Sequence, residues 1–423
     1  MKDVNIALVG LGTVGSGVYK TIASQKSSIQ HKEGLSLNLK KVLALNYAID
    51  IPKELKAKDF YEDIVNDKDI HIVIELIGGI SPAKEFIIAA LDAGKTVVTA
   101  NKELLARHWP ELNAVAKKSG AGLYFEASVG GGIPLLRTIW DGLQANEITS
   151  IMGIINGTTN YILSKMEEKK ASFESVLKEA QQLGMAEANP KNDVEGFDAM
   201  YKLSILSSMA FHVRVPVEYI YREGITNVAQ EDIMYGNELG YTLKLLAIGK
   251  KRGNTIEARV HPTMIPLTHP LASVKGAFNA VFLHGNIVDD IMLYGRGAGD
   301  MPTASAVVSD VIYAAGRQNH RYTTFYNEDT VSSEISFENN WESEFFLRII
   351  AQDSPGVLAK ISSVFGAYNV SLASVMQKGQ SEESVPLIFI THRAKEISVK
   401  RAVNDIKYLP EVLSVANTIR VER

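Results

Sequence analysis

Four carboxylates and two lysines fall within sixteen residues, Glu187-Ala-Asn-Pro-Lys-Asn-Asp193-Val-Glu195-Gly-Phe-Asp198-Ala-Met-Tyr-Lys202. The run that follows, Leu203-Ser-Ile-Leu-Ser-Ser-Met-Ala-Phe211, is almost wholly apolar. Asp198 and Lys202 are four residues apart, so a helix entering that apolar run carries both toward the interior. Burying an unpaired ammonium costs several kcal/mol, and Lys202 therefore needs a partner or a purpose. An ordinary surface ion pair is one reading of the spacing. The neighbouring acids Glu187 and Asp193 favour another. Carboxylates gathered round a desolvated lysine can hold a small zwitterion and move one proton.

The elements that must position this cluster follow from punctuation. Gly184 closes an amphipathic helix whose apolar face is Val176, Leu177, Ala180 and Leu183. Pro190 and Gly196 keep the polar segment in loop form. A buried helix then starts near Gly196, with Ala199, Leu203, Leu206 and Ala210 on one stripe.

A second chemical signal opens the chain. Ile6-Ala-Leu-Val is a buried strand running into Gly10-Leu-Gly12-Thr13-Val14-Gly15 and then a helix through Val18, Ile22 and Ala23. That order is the dinucleotide fingerprint in its structural context; a merely structural glycine turn is the alternative. Gly10 allows the tight turn, Gly12 lets backbone approach the pyrophosphate, and Gly15 allows close helix–strand packing. The first helical residues, Thr13 and Val14, supply free N–H groups at the positive dipole end.

The second strand, residues 39–46, should end at the ribose. An acid there would hold the 2′-hydroxyl of NAD, but Asn46 is neutral and no acid follows before Asp50. Lys53, Lys56 and Lys58 lie downstream, where they could meet a 2′-phosphate. The balance favours NADP(H) over NAD(H), unless those lysines form only a solvated helix face.

Strands at residues 70–77, 96–99 and 122–126 alternate with helices at 83–93 and 104–119, which predicts a Rossmann-type doubly wound parallel sheet. Thr99, Asn101 and Lys102 stand at the carboxyl end of one strand, where ligands of such sheets bind. Beyond the glycine run at 130–132, strands at 255–265, 277–283 and 290–294 predict an α+β substrate and dimerisation domain with a mixed sheet. Gly295-Arg-Gly297-Ala-Gly299 precedes a helix over 302–315, a second place where backbone could approach a cofactor. Residues 344–423 predict a ferredoxin-like βαββαβ module. The expected domains are 1–130, completed by about 300–325, then 131–300, a polar linker at 326–343, and 344–423.

Composition narrows the class. The net charge of −4 on 423 residues leaves no electrostatic footprint for nucleic acid or anionic membrane. No apolar run reaches membrane-spanning length. The N-terminal residues run straight into a strand without the architecture of a signal peptide, so the chain is read as cytoplasmic. With no cysteine, disulfides, thiolate metal sites and acyl-enzyme aldehyde oxidation are excluded. Tyr161-x-x-x-Lys165 matches the dyad of short-chain dehydrogenases, but it lies outside the dinucleotide fold and is set aside.

Taken together, these residues resemble homoserine dehydrogenase carrying a C-terminal ACT domain. The most specific part is Ala180-x3-Gly184-Met-Ala-x2-Asn189-Pro190-x2-Asp193-Val-x-Gly196-x-Asp198-x3-Lys202. The resemblance implies NAD(P)-dependent interconversion of L-homoserine and L-aspartate 4-semialdehyde, in threonine, methionine and isoleucine biosynthesis. It implies Lys202 and Lys102 as catalytic lysines, with Glu187, Asp193 and Asp198 as substrate-site acids. It also implies roles for Gly157 and Thr158, within the Asn156-Gly-Thr-Thr-Asn160 turn, and for Gly297. A monovalent cation, sodium in most relatives, maps onto Glu126 and the carbonyls of Val129, Gly131 and Ile133. Leu45-Asn46 stands where many relatives carry an arginine that favours NADP. For the C-terminal module, Asp353-x-Pro355-Gly356-Val and Asn369-Val370 imply an amino-acid effector such as threonine, with Asp353, Gly356 and Asn369 at its site. Relatives of this kind form homodimers or homotetramers. Two rivals differ in kind: a non-catalytic amino-acid sensor on the same frame, and a Rossmann dehydrogenase of another small amino acid.

Overall fold

The computed structural model describes every residue except 318, 321, 324, 327–333 and 379–383. Part of the expected linker and three positions of the 300–325 segment thus lie outside the described residues. Two compact units result: Met1–Ile151 with Asp198–Ile220 and Phe278–Ile335, and Met152–Phe197 with Tyr221–Ala277 and Ser336–Arg423.

The first unit is built on a parallel sheet. Its strands are β1 (Lys2–Val9), β2 (Leu35–Leu43), β3 (Ile72–Glu75), β4 (Thr96–Thr99) and β5 (Leu123–Tyr124), in the order β2-β1-β3-β4-β5. The helices between them include α1 (Thr13–Glu33), α2 (Ala83–Asp92) and α3 (Lys102–Ser119). Strands such as Ile72-Val-Ile-Glu75 are buried on both faces, as helices packed on either side of a parallel sheet require. The Asp300–Ala315 helix joins this layer: Ala304, Val307, Val308 and Val311 share one apolar cluster with Val18, Ile22 and Ile6. Strand order reverses between β2-β1 and β1-β3, so the crevice between β1 and β3 is the topological switch point.

The expected Rossmann sheet is present, with shifted bounds. β2 runs from Leu35 to Leu43, which pairs in register with Val9 at the end of β1 and whose carbonyl accepts the Gly10 N–H at 2.8 Å. Asn46 is left in the loop beyond. Residues after it return alongside, where the Ala57 N–H donates to the Val42 carbonyl at 2.9 Å.

In the second unit the hairpin Tyr241–Arg252/Thr255–Pro266 pairs antiparallel from Tyr241↔Pro266 to Arg252↔Thr255. The first of these strands was not legible as one: it is apolar on both faces, which gives no alternation to detect. The segment expected as a loop before Gly196 contains a short helical turn, Lys191–Val194. Leu183, expected on an apolar face, caps the Phe173–Gln182 helix and is 59% exposed.

The C-terminal βαββαβ order is as expected: Glu342–Ala351, Val357–Ala367, Leu372–Gln377, Val385–Thr391, Glu396–Ile406 and Val412–Val421. Phe345, Leu347, Ile361, Phe365, Val399 and Ile406 form its own core. The module does not keep a separate sheet, however. Val412–Val421 also runs parallel beside Thr255–Pro266, with Arg420 opposite Thr263 and Val421 opposite Met264. Buried ion pairs line this seam, Arg259 to Glu422 at 2.5 Å and Arg420 to Glu396 at 2.5 Å.

Lys244, on the undetected strand, is fully buried. Its ammonium donates to the Val274 carbonyl at 2.6 Å and to Asn160 Oδ1 at 3.4 Å. Desolvation pushes its pKa down from 10.5 to about 8. Between those values the unfolded chain binds more protons than the folded one, so stability rises with pH there and the penalty is complete below pH 8. The whole effect is about 3 kcal/mol. Urea unfolding from pH 8 to 10.5 should show the wild type gaining stability relative to Lys244→Met; parallel curves would contradict this account.

Candidate active site

The crevice at the switch point is shaped by glycines. Gly10 has φ +103°, and a Cβ there would meet the Leu76 carbonyl oxygen at 2.6 Å. A Cβ on Gly15 would lie 2.0 Å from the Gly10 carbonyl oxygen, so helix α1 can sit this close to the turn only as glycine. Gly12, exposed, has nothing within 4 Å of the equivalent point. The N-terminus of α1 has no side-chain cap, so Thr13 and Val14 can offer their N–H groups to a ligand. These features fit a dinucleotide pyrophosphate. Gly297, expected at a cofactor-facing turn, is buried, and a Cβ there would collide with the Asn279 amide at 1.8 Å.

Lys202 lies on the Phe197–Phe211 helix, which begins directly after Gly196 at φ +81°. From Asp198 to Phe211 that helix is buried. Its lysine and aspartate are therefore a desolvated pair, not a surface one. Asp198 Oδ2 accepts from Lys202 Nζ at 2.7 Å, and Asp198 Oδ1 lies 3.2 Å from Lys102 Nζ. One carboxylate thus holds two ammonium groups, one on each oxygen. The Lys202 side chain is 10% exposed and that of Lys102 is 42% exposed, so Lys102 is the more open of the two.

Lys102 begins α3, and Asn101 is its N-cap: Asn101 Oδ1 accepts the Leu104 N–H at 3.2 Å. Asn101 Nδ2 donates to the Gly79 carbonyl at 2.7 Å. Thr99 is buried, its hydroxyl donating to Glu75 Oε2 at 2.7 Å and accepting the Asn101 N–H at 3.0 Å. One turn along, Arg107 donates to Tyr201 Oη at 2.7 Å, and Tyr201 donates to Glu103 at 3.0 Å. That bracket fixes the Lys202 helix against α3. Sequence reasoning missed Tyr201, Arg107 and Glu75; the Glu103/Arg107 spacing was the only available hint, and it marks any exposed helix face.

Other expected site residues belong to the second unit. Asn156 caps the Gly157–Lys169 helix by accepting the Thr159 N–H at 2.9 Å, and its Nδ2 donates to Asp193 Oδ1 at 2.7 Å. Thr158, next to Gly157 in the first turn, donates to the Met185 carbonyl at 2.9 Å. Glu187 is exposed, with Gln181 donating to its backbone carbonyl at 3.1 Å. Tyr161 and Lys165 turn to Glu179 and Glu168, in keeping with setting that dyad aside.

Glu126 is buried, and burial, reinforced by Asp310, pushes its carboxyl up to about 7. Its oxygens accept the N–H groups of Leu136 at 2.9 Å and Arg137 at 2.7 Å. Asp310 in turn accepts the Glu126 N–H at 2.8 Å and pairs with Arg137. Among the described residues no three acidic or histidine side chains gather as a metal centre. A cation here would depend on Glu126 plus the carbonyls of Val129, Gly131 and Ile133, on the loop just after it. Carboxylate and carbonyl oxygens each keep a second lone pair, and a hard monovalent ion takes such an all-oxygen set, so the residues fit.

In the C-terminal module, Asp353 accepts from Gln377 at 3.1 Å, Gly356 has φ +90° at the start of the Val357–Ala367 helix, and Asn369 is exposed at φ +56°. Among the described residues, no helix is long and apolar enough to cross a membrane.

Comparison with known proteins identifies the lineage. Family models match residues 10–126 as the NAD binding domain of homoserine dehydrogenase, 134–312 as homoserine dehydrogenase and 345–411 as an ACT domain. The homoserine dehydrogenase of Bacillus subtilis is 42% identical over 100% of this chain and 99% of its own, and that of Corynebacterium glutamicum is 40% identical over 99% and 96%. Among solved structures, a homoserine dehydrogenase from Thiobacillus denitrificans superposes with a TM-score of 0.93 at 39% identity, covering 100% of this chain and 99% of that one. A hyperthermophilic archaeal homoserine dehydrogenase in complex with NADPH gives 0.65 at 28% identity, over 75% of this chain and 100% of that one. The chain belongs to the homoserine dehydrogenase family: it is an NAD(P)-dependent oxidoreductase acting on the CH–OH group of homoserine, and it carries a C-terminal ACT domain.

Proposed function

We propose that Lys202 is the proton-transfer group and Lys102 the electrostatic one in interconverting homoserine and aspartate 4-semialdehyde. The observation that carries this is the single Asp198 carboxylate shared by both ammonium groups. The nicotinamide, when bound, supplies or accepts the hydride. In reduction the Lys202 ammonium gives a proton to the reacting oxygen, and in oxidation the amine so formed takes the hydroxyl proton back, directly or through water. Lys102, the more open, stabilises negative charge as it develops on the reacting oxygen. Asp198 orients both lysines. Glu187 and Asp193 hold the α-ammonium of the substrate, with Gly157 and Thr158 lining the same end. A non-catalytic sensor would have no need to bury Lys202 at this cost.

Of the two dinucleotides, NADP(H) is favoured. Lys56 is half-buried, lies 4.7 Å above the Tyr47 ring and is 4.0 Å from Asp50, on the segment that returns beside the end of β2. The similar hyperthermophilic archaeal homoserine dehydrogenase is in complex with NADPH. A sodium ion on Glu126, Val129, Gly131 and Ile133 would offset buried negative charge, and these residues hold the loop that follows β5. The ACT domain binds an amino-acid effector such as threonine around Asp353, Gly356 and Asn369. We further assign a homodimer or homotetramer, a cytoplasmic location, a role in threonine, methionine and isoleucine biosynthesis, and the domains 1–130 with 300–325, 131–300 and 344–423.

Lys202→Ala should lower kcat roughly 100- to 10,000-fold with little change in NADPH binding; near-wild-type turnover with aspartate semialdehyde would remove Lys202 from the chemistry. Lys56→Glu should raise KM for NADPH about tenfold, worth ~1.4 kcal/mol, while leaving NADH unaffected. Equal effects on both cofactors would mean Lys56 does not meet the 2′-phosphate. Sodium chloride should raise Tm more than choline chloride at equal ionic strength, and Glu126→Gln should abolish that difference. A difference that survives in the variant would place the ion elsewhere.

A further inference from the structure

Glu75 is a buried carboxylate that the proton-transfer reading leaves unused. It ends β3, is 1% exposed and sits next to β4 with Thr99 opposite it in register. An apolar residue would fill such a strand position at lower cost, since a buried carboxylate must recover its lost hydration from neighbouring donors. The donors are there. Oε1 accepts the N–H groups of Ile77 at 2.8 Å and Gly78 at 3.3 Å, and Oε2 accepts the Thr99 hydroxyl at 2.7 Å.

The direction of these bonds is fixed. The Asn101 N–H can only donate, so at Thr99 Oγ1 it occupies an acceptor site, and the Thr99 hydroxyl proton points at Glu75. Asn101 then uses both ends of its side chain, donating to the Gly79 carbonyl and capping α3 through Leu104. The next residue is Lys102, whose ammonium lies 3.2 Å from Asp198. Glu75 therefore ties together two loops at the carboxyl ends of β3 and β4. Gly78 and Gly79 have φ of +74° and +71°, with open space where side chains would be, so this loop offers bare backbone to the crevice. The Leu76 carbonyl abuts Gly10, which brings the same knot up to the dinucleotide turn. Burial pushes the Glu75 carboxyl up, while Thr99, Ile77, Gly78 and Asn101 all pull it down.

We infer that Glu75 is a positioning residue for catalysis: through Thr99 and Asn101 it sets the first turn of α3, and with it where Lys102 presents its charge. Being almost wholly enclosed, Glu75 touches neither substrate nor cofactor and acts only through that chain of bonds. The inference rests on Lys102 serving the reaction, as proposed above.

The test uses the full-length protein with aspartate semialdehyde and NADPH, with sites counted by NADPH fluorescence titration. Glu75→Gln places an amide N–H₂ against groups that are themselves donors. It should bind one NADPH per chain with unchanged KM for the semialdehyde, while kcat per binding site falls at least about tenfold. Thr99→Val cuts the next link and should produce a similar fall, and the double variant should lose no more than the worse single. Full turnover per site in Glu75→Gln, or losses that multiply in the double variant, would overturn the inference. So would a fall in rate that merely tracks the number of NADPH sites. Should Glu75→Gln not fold, Thr99→Val decides alone: an unchanged kcat per site overturns the role. Lys102→Ala runs alongside. If it turns over normally, the catalytic reading of Lys102 fails; if it is inactive while Glu75→Gln is normal, only the role of Glu75 fails.

Discussion

The structure depends on one buried carboxylate serving two ammonium groups, one enclosed beside it and one partly open to solvent. Desolvating Lys202 and Asp198 separately would cost several kcal/mol each, and only close mutual pairing recovers it. Lys202 and Asp198 share a helix, so their pairing is local and assured by the i,i+4 spacing. Lys102 comes from another element altogether, and its approach to the same carboxylate must be built. The Asn101 cap, the Thr99–Glu75 link and the Arg107–Tyr201–Glu103 bracket do that building. A loose arrangement would leave a buried charge unsatisfied, so geometry and stability select the same structure.

The dinucleotide crevice obeys a different constraint, steric and not electrostatic. Gly10 and Gly15 are needed because backbone occupies the space that any side chain would fill. Gly12 is needed for the opposite reason, to keep space free. The same residue type thus performs two tasks within six positions, which is why the fingerprint is informative only when strand and helix flank it.

Much of this was legible beforehand. The parallel sheet, the helix carrying Asp198 and Lys202, and the C-terminal βαββαβ order all follow from local pattern and punctuation. What escaped had no local pattern to reveal it. Tyr241–Arg252 is apolar on both faces and carries a lysine, so neither strand nor helix periodicity stands out. Glu75 lies inside the apolar run expected as a strand at residues 70–77, where a lone acid adds no periodic signal. Its value comes from Thr99, twenty-four residues away. The end of β2 was placed three residues late because its partner β1 stops at Val9, opposite Leu43, and nothing in the β2 sequence itself marks that limit.

The pairing of Val412–Val421 with Thr255–Pro266 has a mechanical meaning. A module hung on a flexible tether can swivel without disturbing its host. Here the Arg420–Thr263 and Val421–Met264 ladder, with the enclosed Arg259–Glu422 pair across it, opposes that swivel. Any torque on the C-terminal sheet must twist the neighbouring hairpin as well. That hairpin carries Lys244, which grips the helix whose first turn starts at Asn156. Strain applied at one end of this unit is therefore carried toward the other through paired backbone and the Lys244–Asn160 contact.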